Sequence, residues 1–177
     1  GLWLHVDACV GGFVAPFVRK CGYPIPVFDF SILGVTSMSA DLHKYGFTAK
    51  GASTVLFHDE SLRPYQMFEF DDWSRGHYAS PTFAGTRPGG PIAAAWAVLR
   101  YLGEDGYVRI AGEMMEGVKK LSAGIAAIDG LHLVCAPELT IISYAADDID
   151  IFAVAEAMGT RGWFVGRSVD PKSIHLG

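Results

Sequence analysis

The chain has little charge and no concentration of one sign. Its 177 residues carry 14 Lys and Arg against 19 Asp and Glu, a net charge of −5 at pH 7. A polynucleotide surface needs a basic stripe that displaces counterions, so nucleic acid is not an expected partner. Cysteine is scarce. Cys9, Cys21 and Cys135 are odd in number and lack C-x-x-C spacing, which excludes a zinc knuckle and a disulfide frame and fits reduced thiols in a cytoplasmic setting. No apolar run approaches the ~18 residues that cross a bilayer. There is no internal repeat and no low-complexity stretch. What is there is apolar: half the residues are hydrophobic, enough for a packed core. The chain opens in one apolar run without a methionine and stops in another, so a fragment of a longer protein is expected, with any signal or anchor ahead of it.

Two segments carry chemistry. The run Ser37-Met38-Ser39-Ala40-Asp41-Leu42-His43-Lys44-Tyr45-Gly46 places a lysine in a loop between two short β-favouring runs, residues 35–40 and 53–57. A lysine at its ordinary pKa of about 10.4 is protonated and not nucleophilic, so an imine-forming lysine needs a desolvated, positively biased setting. Apolar strand on both sides is expected to provide it. Upstream, His5-Val6-Asp7-Ala8-Cys9-Val10-Gly11-Gly12 puts an acidic residue at the end of an apolar run. A distant Asp and Lys are the pair that pyridoxal 5'-phosphate (PLP) requires: the amine holds the aldehyde as a Schiff base, and the carboxylate keeps the pyridine nitrogen protonated. Lys44 is therefore the expected covalent catalyst and Asp7 the partner of the ring, with an Asp that merely caps the following turn as the alternative. His5 stands at strand spacing from Asp7 and is expected to bond it or its neighbours. Asp41 with His43 has some metal-ligand character, but no further ligands accompany it and no metal is expected.

The rest of the chain reads as alternating elements. Residues 2–7 form a strand, residues 13–20 a short helical stretch interrupted by Pro16, and residues 65–91 a long connection without periodicity. Gly85-Thr86-Arg87-Pro88-Gly89-Gly90 is not a Walker loop, because no G-K-[ST] follows. Feeding a helix at residues 92–102, it still offers backbone N–H groups, Thr86 and Arg87 to a phosphate. A second helix spans 106–128, with Tyr107, Ala111, Met114, Val118, Leu121, Ile125 and Ile128 spaced as an apolar stripe. Strands at 139–145 and 163–165, a helix at 149–160 and a last strand from Ile174 follow, which suits a small α+β domain.

The motifs H-V-D-x-C-x-G-G-F, S-x-S-A-D-x-H-K-Y-G and G-T-R-P-G-G, in this order, resemble the PLP-dependent group II decarboxylases, and within them the sphingosine-1-phosphate lyases. Cys9 and the runs Pro26-Val27-Phe28-Asp29-Phe30 and Tyr78-Ala79-Ser80-Pro81-Thr82 carry the finer likeness. The resemblance implies an α/β fold of type I, aspartate-aminotransferase-like, with the C-terminal half of the PLP-binding large domain over 1–105 and the start of a small α+β domain over 106–177. It implies that Cys9 lies against the cofactor ring, that His43 bonds the cofactor phosphate or else a loop carbonyl, and that Lys50 lies near the substrate or else in solvent. It further implies a homodimer in which the loop holding Gly85 and Thr86 reaches the neighbouring site. The reaction implied is carbon–carbon cleavage of a phosphorylated long-chain amino alcohol, a small-molecule substrate. Amino-acid decarboxylation and a non-catalytic paralogue are the alternatives.

Overall fold

The computed structural model describes residues 2–177. They divide into two compact units, one built from the chain up to Pro16 together with Pro26–Glu104, the other from Phe17–Ile25 together with Asp105–Gly177.

In the first unit, β1 (Leu4–Asp7) is followed by a tight turn into the short helix α1 (Ala15–Lys20), of which Phe17–Lys20 belong to the second unit. Pro16 does not interrupt this helix. It sits in the first turn, where an N–H would have no intrahelical partner. The turn requires Gly12, because a Cβ there would stand 2.6 Å from the Ala8 carbonyl oxygen and 3.0 Å from the Ala40 methyl. Strand β2 (Val35–Ala40) runs parallel to β1 and antiparallel to β3 (Thr54–Phe57), giving the order β1-β2-β3. As the central strand, β2 buries Val35, Ser37 and Ala40.

The stretch expected to be structureless contains a hairpin. A 3₁₀ segment, Glu60–Gln66, leads into β4 (Phe68–Phe70), which pairs antiparallel with β5 (Tyr78–Ser80). Three-residue strands are too short to leave a readable alternation. The long ribbon α2 (Gly89–Ala126) is two helices end to end, broken at Gly103, whose φ of 57° and ψ of −172° are not helical. Glycine alone takes that conformation cheaply, so the kink is sited by sequence.

In the second unit, Phe17 stacks on Tyr107 at 4.8 Å, the Cys21 thiol donates to the Val108 carbonyl, and Tyr23 donates to Glu116. The buried face of α2 here is Tyr107, Ala111, Met115, Val118 and Ile125, while Leu121 and Ile128 are half exposed. The expected stripe had a strict seven-residue period. A straight helix drifts by ~20° per heptad from that period, so the face moves from Met114 to Met115 and sheds Leu121, while Ile128 lies past the end of α2.

An antiparallel sheet of order β6-β7-β9-β8 completes the unit: β6 (Leu131–Leu133), β7 (Ile142–Ala146), β8 (Gly166–Val169) and β9 (Lys172–Leu176). Between β7 and β8 lies α3 (Ile151–Thr160), capped by the Asp150 carboxylate accepting from the Phe152 N–H at 3.1 Å. Ile142, Ile151 and Ile174 form the centre of its core. The strand expected at 163–165 lies instead at Gly166–Val169. Trp163 is used to close α3, its N–H bonding the Met158 carbonyl, and the half-exposed β8, Gly166-Arg167-Ser168-Val169, is too short and polar to announce itself.

Candidate active site

The parallel register of β1 and β2 sets His5 opposite Ser37 and Asp7 opposite Ser39. Side-chain bonds follow from it. Ser39 Oγ donates to Asp7 Oδ1 at 3.0 Å, and the Cys9 N–H donates to the same oxygen at 3.1 Å. Hydrogen bonds from Cys9 first, and then Ser39, hold the Asp7 carboxyl below the usual carboxylate range. His5 meets Ser37 Oγ through Nδ1 at 2.7 Å and Ser39 Oγ through Nε2 at 3.4 Å. It thus reaches Asp7 through Ser39.

The backbone pairing runs on past the strands: the Ala8 N–H bonds the Ser39 carbonyl and the Asp41 N–H bonds the Cys9 carbonyl. The loop then folds tightly, with Lys44 N–H on Asp41 O, Phe47 N–H on Lys44 O and Thr48 N–H on Leu42 O. Phe47 takes a left-handed φ of 58° to make this turn, a conformation that costs a bulky residue energy. The result brings Lys44 Nζ within 2.9 Å of Cys9 Sγ and 3.0 Å of the Asp41 carboxylate, which also accepts from the Ser53 hydroxyl.

This setting is the opposite of the desolvated, positively biased one expected. The Lys44 side chain is about one-third exposed, and its contacts with Cys9 and then Asp41 raise its pKa above the ordinary value of 10.5. The physical reason is that the loop turns Lys44 back over the carboxyl end of β1, among hydrogen-bond acceptors, and not between the apolar strands that flank it in sequence. Asp41 is held below its own usual range by the Ser53 hydroxyl and then Lys44.

His43 places Nδ1 on the Ala52 carbonyl at 2.9 Å, so Nδ1 carries the proton and donates, while Nε2 stands 3.8 Å from Asp41. Of the two partners open for this ring, the loop carbonyl is the one it meets here. His43 also lines a cleft of about 770 Å³ whose polar wall includes Ser39, Gln66, Thr82 and Arg87. Arg87 is oriented by a 2.7 Å bond to Thr82 Oγ1. Gly85, with φ of 64°, bonds the Thr82 carbonyl. Thr86 and Lys50 are exposed. Among the described residues, neither makes a hydrogen bond or ion pair with Asp7, Cys9 or Lys44.

Sequence reasoning passed over Ser39 and Ser53, and it weighed Asp41 only as a metal ligand. The alternation Ser37-x-Ser39 opposite His5-x-Asp7 was the available signal for the first, and the three-residue spacing of Asp41 to Lys44 for the last. Among the described residues no group of three His, Cys, Asp or Glu converges as a metal site, and no helix is long and apolar enough to cross a membrane.

The donor set fits PLP. One primary amine and one carboxylate held ionised project from the carboxyl ends of two adjacent parallel strands, where open α/β sheets place ligands. The amine suits an aldehyde and the carboxylate a protonated pyridine nitrogen.

Comparison with known proteins agrees with this geometry. The model of the pyridoxal-dependent decarboxylase conserved domain matches residues 1–147. The chain belongs to that family, whose cofactor is PLP, and its fold is type I. A sphingosine-1-phosphate lyase of Oryza sativa subsp. japonica is 47% identical over 173 residues, 98% of this chain and 32% of the relative. The solved structure of a Burkholderia pseudomallei sphingosine-1-phosphate lyase matches with a TM-score of 0.92 and 41% identity, covering 99% of this chain and 40% of that one. An L-aspartate decarboxylase of Thermococcus kodakarensis is 36% identical over 172 residues, 93% of this chain and 42% of the relative. The chain spans about a third of the length of the lyases it matches among curated proteins.

Proposed function

We propose that the protein is a PLP-dependent lyase that cleaves a carbon–carbon bond in a phosphorylated long-chain amino alcohol, releasing a fatty aldehyde and phosphoethanolamine. The observation that carries this reading is identity to lyases of 47% along nearly the whole chain, against 36% to the decarboxylase. Bound PLP supplies an electron sink for the bond that breaks. Lys44 holds the cofactor, and its amine then moves a proton at the reacting carbon. Asp7, kept ionised by Cys9 and Ser39, keeps the ring nitrogen protonated. Cys9 lies beside both groups, two residues from Asp7 and 2.9 Å from Lys44 Nζ, where it walls the cofactor. Arg87 and the Gly85-Thr86 turn serve a phosphate, and the active protein is a homodimer whose subunits share the site.

Borohydride reduction of the holoenzyme tests the assignment. A phosphopyridoxyl mass is expected on the peptide containing Lys44, and a label on Lys50 would overturn it. Supplying a sphingoid base 1-phosphate should then release aldehyde. Carbon dioxide from an amino acid, with no aldehyde from the phosphorylated base, would establish the decarboxylase reading.

A further inference from the structure

The contact between Lys44 Nζ and Cys9 Sγ has chemistry that the proposed reaction does not use. A sulfur and a primary amine 2.9 Å apart are already at the approach distance for bond formation once the sulfur becomes an electrophile. Cys9 is partly exposed and Lys44 is about one-third exposed, so a small oxidant reaches the pair from solvent. Cys9 is also the single cysteine of the first unit. An oxidised Cys9 therefore has no thiol of its own unit to resolve it, and the Lys44 nitrogen stands 2.9 Å away.

We propose that, when PLP is absent, peroxide converts this pair into a reversible covalent cross-link, a sulfenamide between Cys9 Sγ and Lys44 Nζ. The Cys9 sulfur attacks hydrogen peroxide, forming S–O as O–O breaks, and water leaves with a sulfenic acid remaining. The fraction of Lys44 present as free amine, its proton lost to solvent, attacks that sulfur from 2.9 Å. The S–N bond forms, S–O breaks, and hydroxide departs as a second water with the proton. One thiol, one amine and one peroxide give one sulfenamide and two waters. The sulfur is oxidised by two electrons and the peroxide reduced by two. An external thiol reverses the step by attacking sulfur, as in disulfide exchange.

The geometry that makes the bond also limits it. Lys44 is the proposed anchor of PLP, so a loaded site withholds the nitrogen from Cys9. The cross-link is then confined to empty protein, where it keeps the sulfur off the irreversible path to sulfinic and sulfonic acids. This protection rests on the proposed role of Lys44, whereas the cross-link itself does not.

The test uses the full-length protein, resolved of PLP and reloaded in parallel, treated with hydrogen peroxide and digested with trypsin without reductant. The expected product in the empty protein is a joined pair of peptides, one containing Cys9 and one spanning Lys44 uncut, lighter by two hydrogens than their sum. Dithiothreitol should release it, Cys9→Ser should abolish it, and reloading should reduce it at least tenfold. Finding Cys9 only as sulfinic or sulfonic acid, or in an intermolecular disulfide, with the Lys44 peptide cut normally, overturns the proposal. A cross-link equally abundant in the loaded protein would support the S–N chemistry and instead refute Lys44 as the anchor. Because the readout is a mass on the unmutated chain, it does not depend on the folding of any variant.

Discussion

Gly12→Ala is the substitution whose effect the structure sizes most directly. Gly12 donates its N–H to the Ala8 carbonyl at 2.8 Å, closing the turn that leaves β1. An added methyl would sit 2.6 Å from that carbonyl oxygen, 3.0 Å from the Ala40 Cβ and 3.2 Å from the Ala8 Cβ. None of these atoms is the far end of a flexible side chain, and Ala8 and Ala40 are both buried. Backbone must move, at the cost of about 1–3 kcal/mol typical of an overpacked site. For a chain of this size each kcal/mol is worth roughly 2–4 °C of melting temperature. The displaced peptides are those that carry Cys9 and Asp41, so the Lys44 clamp should loosen as well. A suitable control is Gly117→Ala in α2, where a Cβ meets nothing within 4 Å and the swap should add about 0.5–1 kcal/mol through helix propensity. Thermal melts of the two variants, with borohydride-trapped PLP on Lys44 as the second readout, compare them. A Gly12→Ala protein that melts and loads like the parent would refute the packing argument.

Three further outcomes are expected. Lys44 has a raised pKa, so its tie to Cys9 and Asp41 is intact below about 10.5 and is lost as pH rises through the raised value, where the free amine appears. PLP uptake by empty protein should therefore accelerate on the alkaline side, and Asp41→Asn should speed it at fixed pH, as followed by the visible band of bound cofactor; a slower Asn variant would contradict this. Asp7→Ala should retain measurable cofactor yet lose most turnover, read by aldehyde release, and near-normal turnover would mean that another group partners the ring nitrogen. Ile174→Ala, at a fully buried position in the core of the second unit, should cost about 2–5 kcal/mol in a denaturant titration, and a shift below 1 kcal/mol would show that the sheet is not held by this core.

Much of the fold was legible because its signals are local. β2 matched its β-favouring run, and the glycine between the two expected helices, Gly103, is where α2 breaks. The hairpin at Phe68–Phe70 and Tyr78–Ser80 escaped because its strands are held by pairing alone, with too few residues to show a period. The α2 face was misread by one residue because a seven-residue count and a 3.6-residue turn diverge over three heptads. At the site, Lys44 and Asp7 stood out as residue types that one cofactor needs together. Their environment did not, since it is made by a strand register and a loop turn. Neither the Ser39 bond to Asp7 nor the fold of residues 41–48 that carries Lys44 over Cys9 is written in any single motif.

Register is also why one small area can serve both proposed reactions. The parallel pairing of β1 with β2 aligns Asp7 with Ser39, and its continuation through the Ala8 and Asp41 amides carries the chain over to the loop that returns Lys44. In the empty chain the Lys44 nitrogen is clamped by Cys9 and Asp41, both of which must release it before it can take an aldehyde. On the proposed roles, loading and oxidation compete for a single nitrogen. A titration of PLP against a fixed pulse of peroxide should convert cross-linked protein into borohydride-trappable protein one for one, with the two Lys44 populations summing to the whole. A third population of comparable size, with Lys44 free of both marks and Cys9 oxidised, would mean that the pair separates faster than sulfur and nitrogen can react.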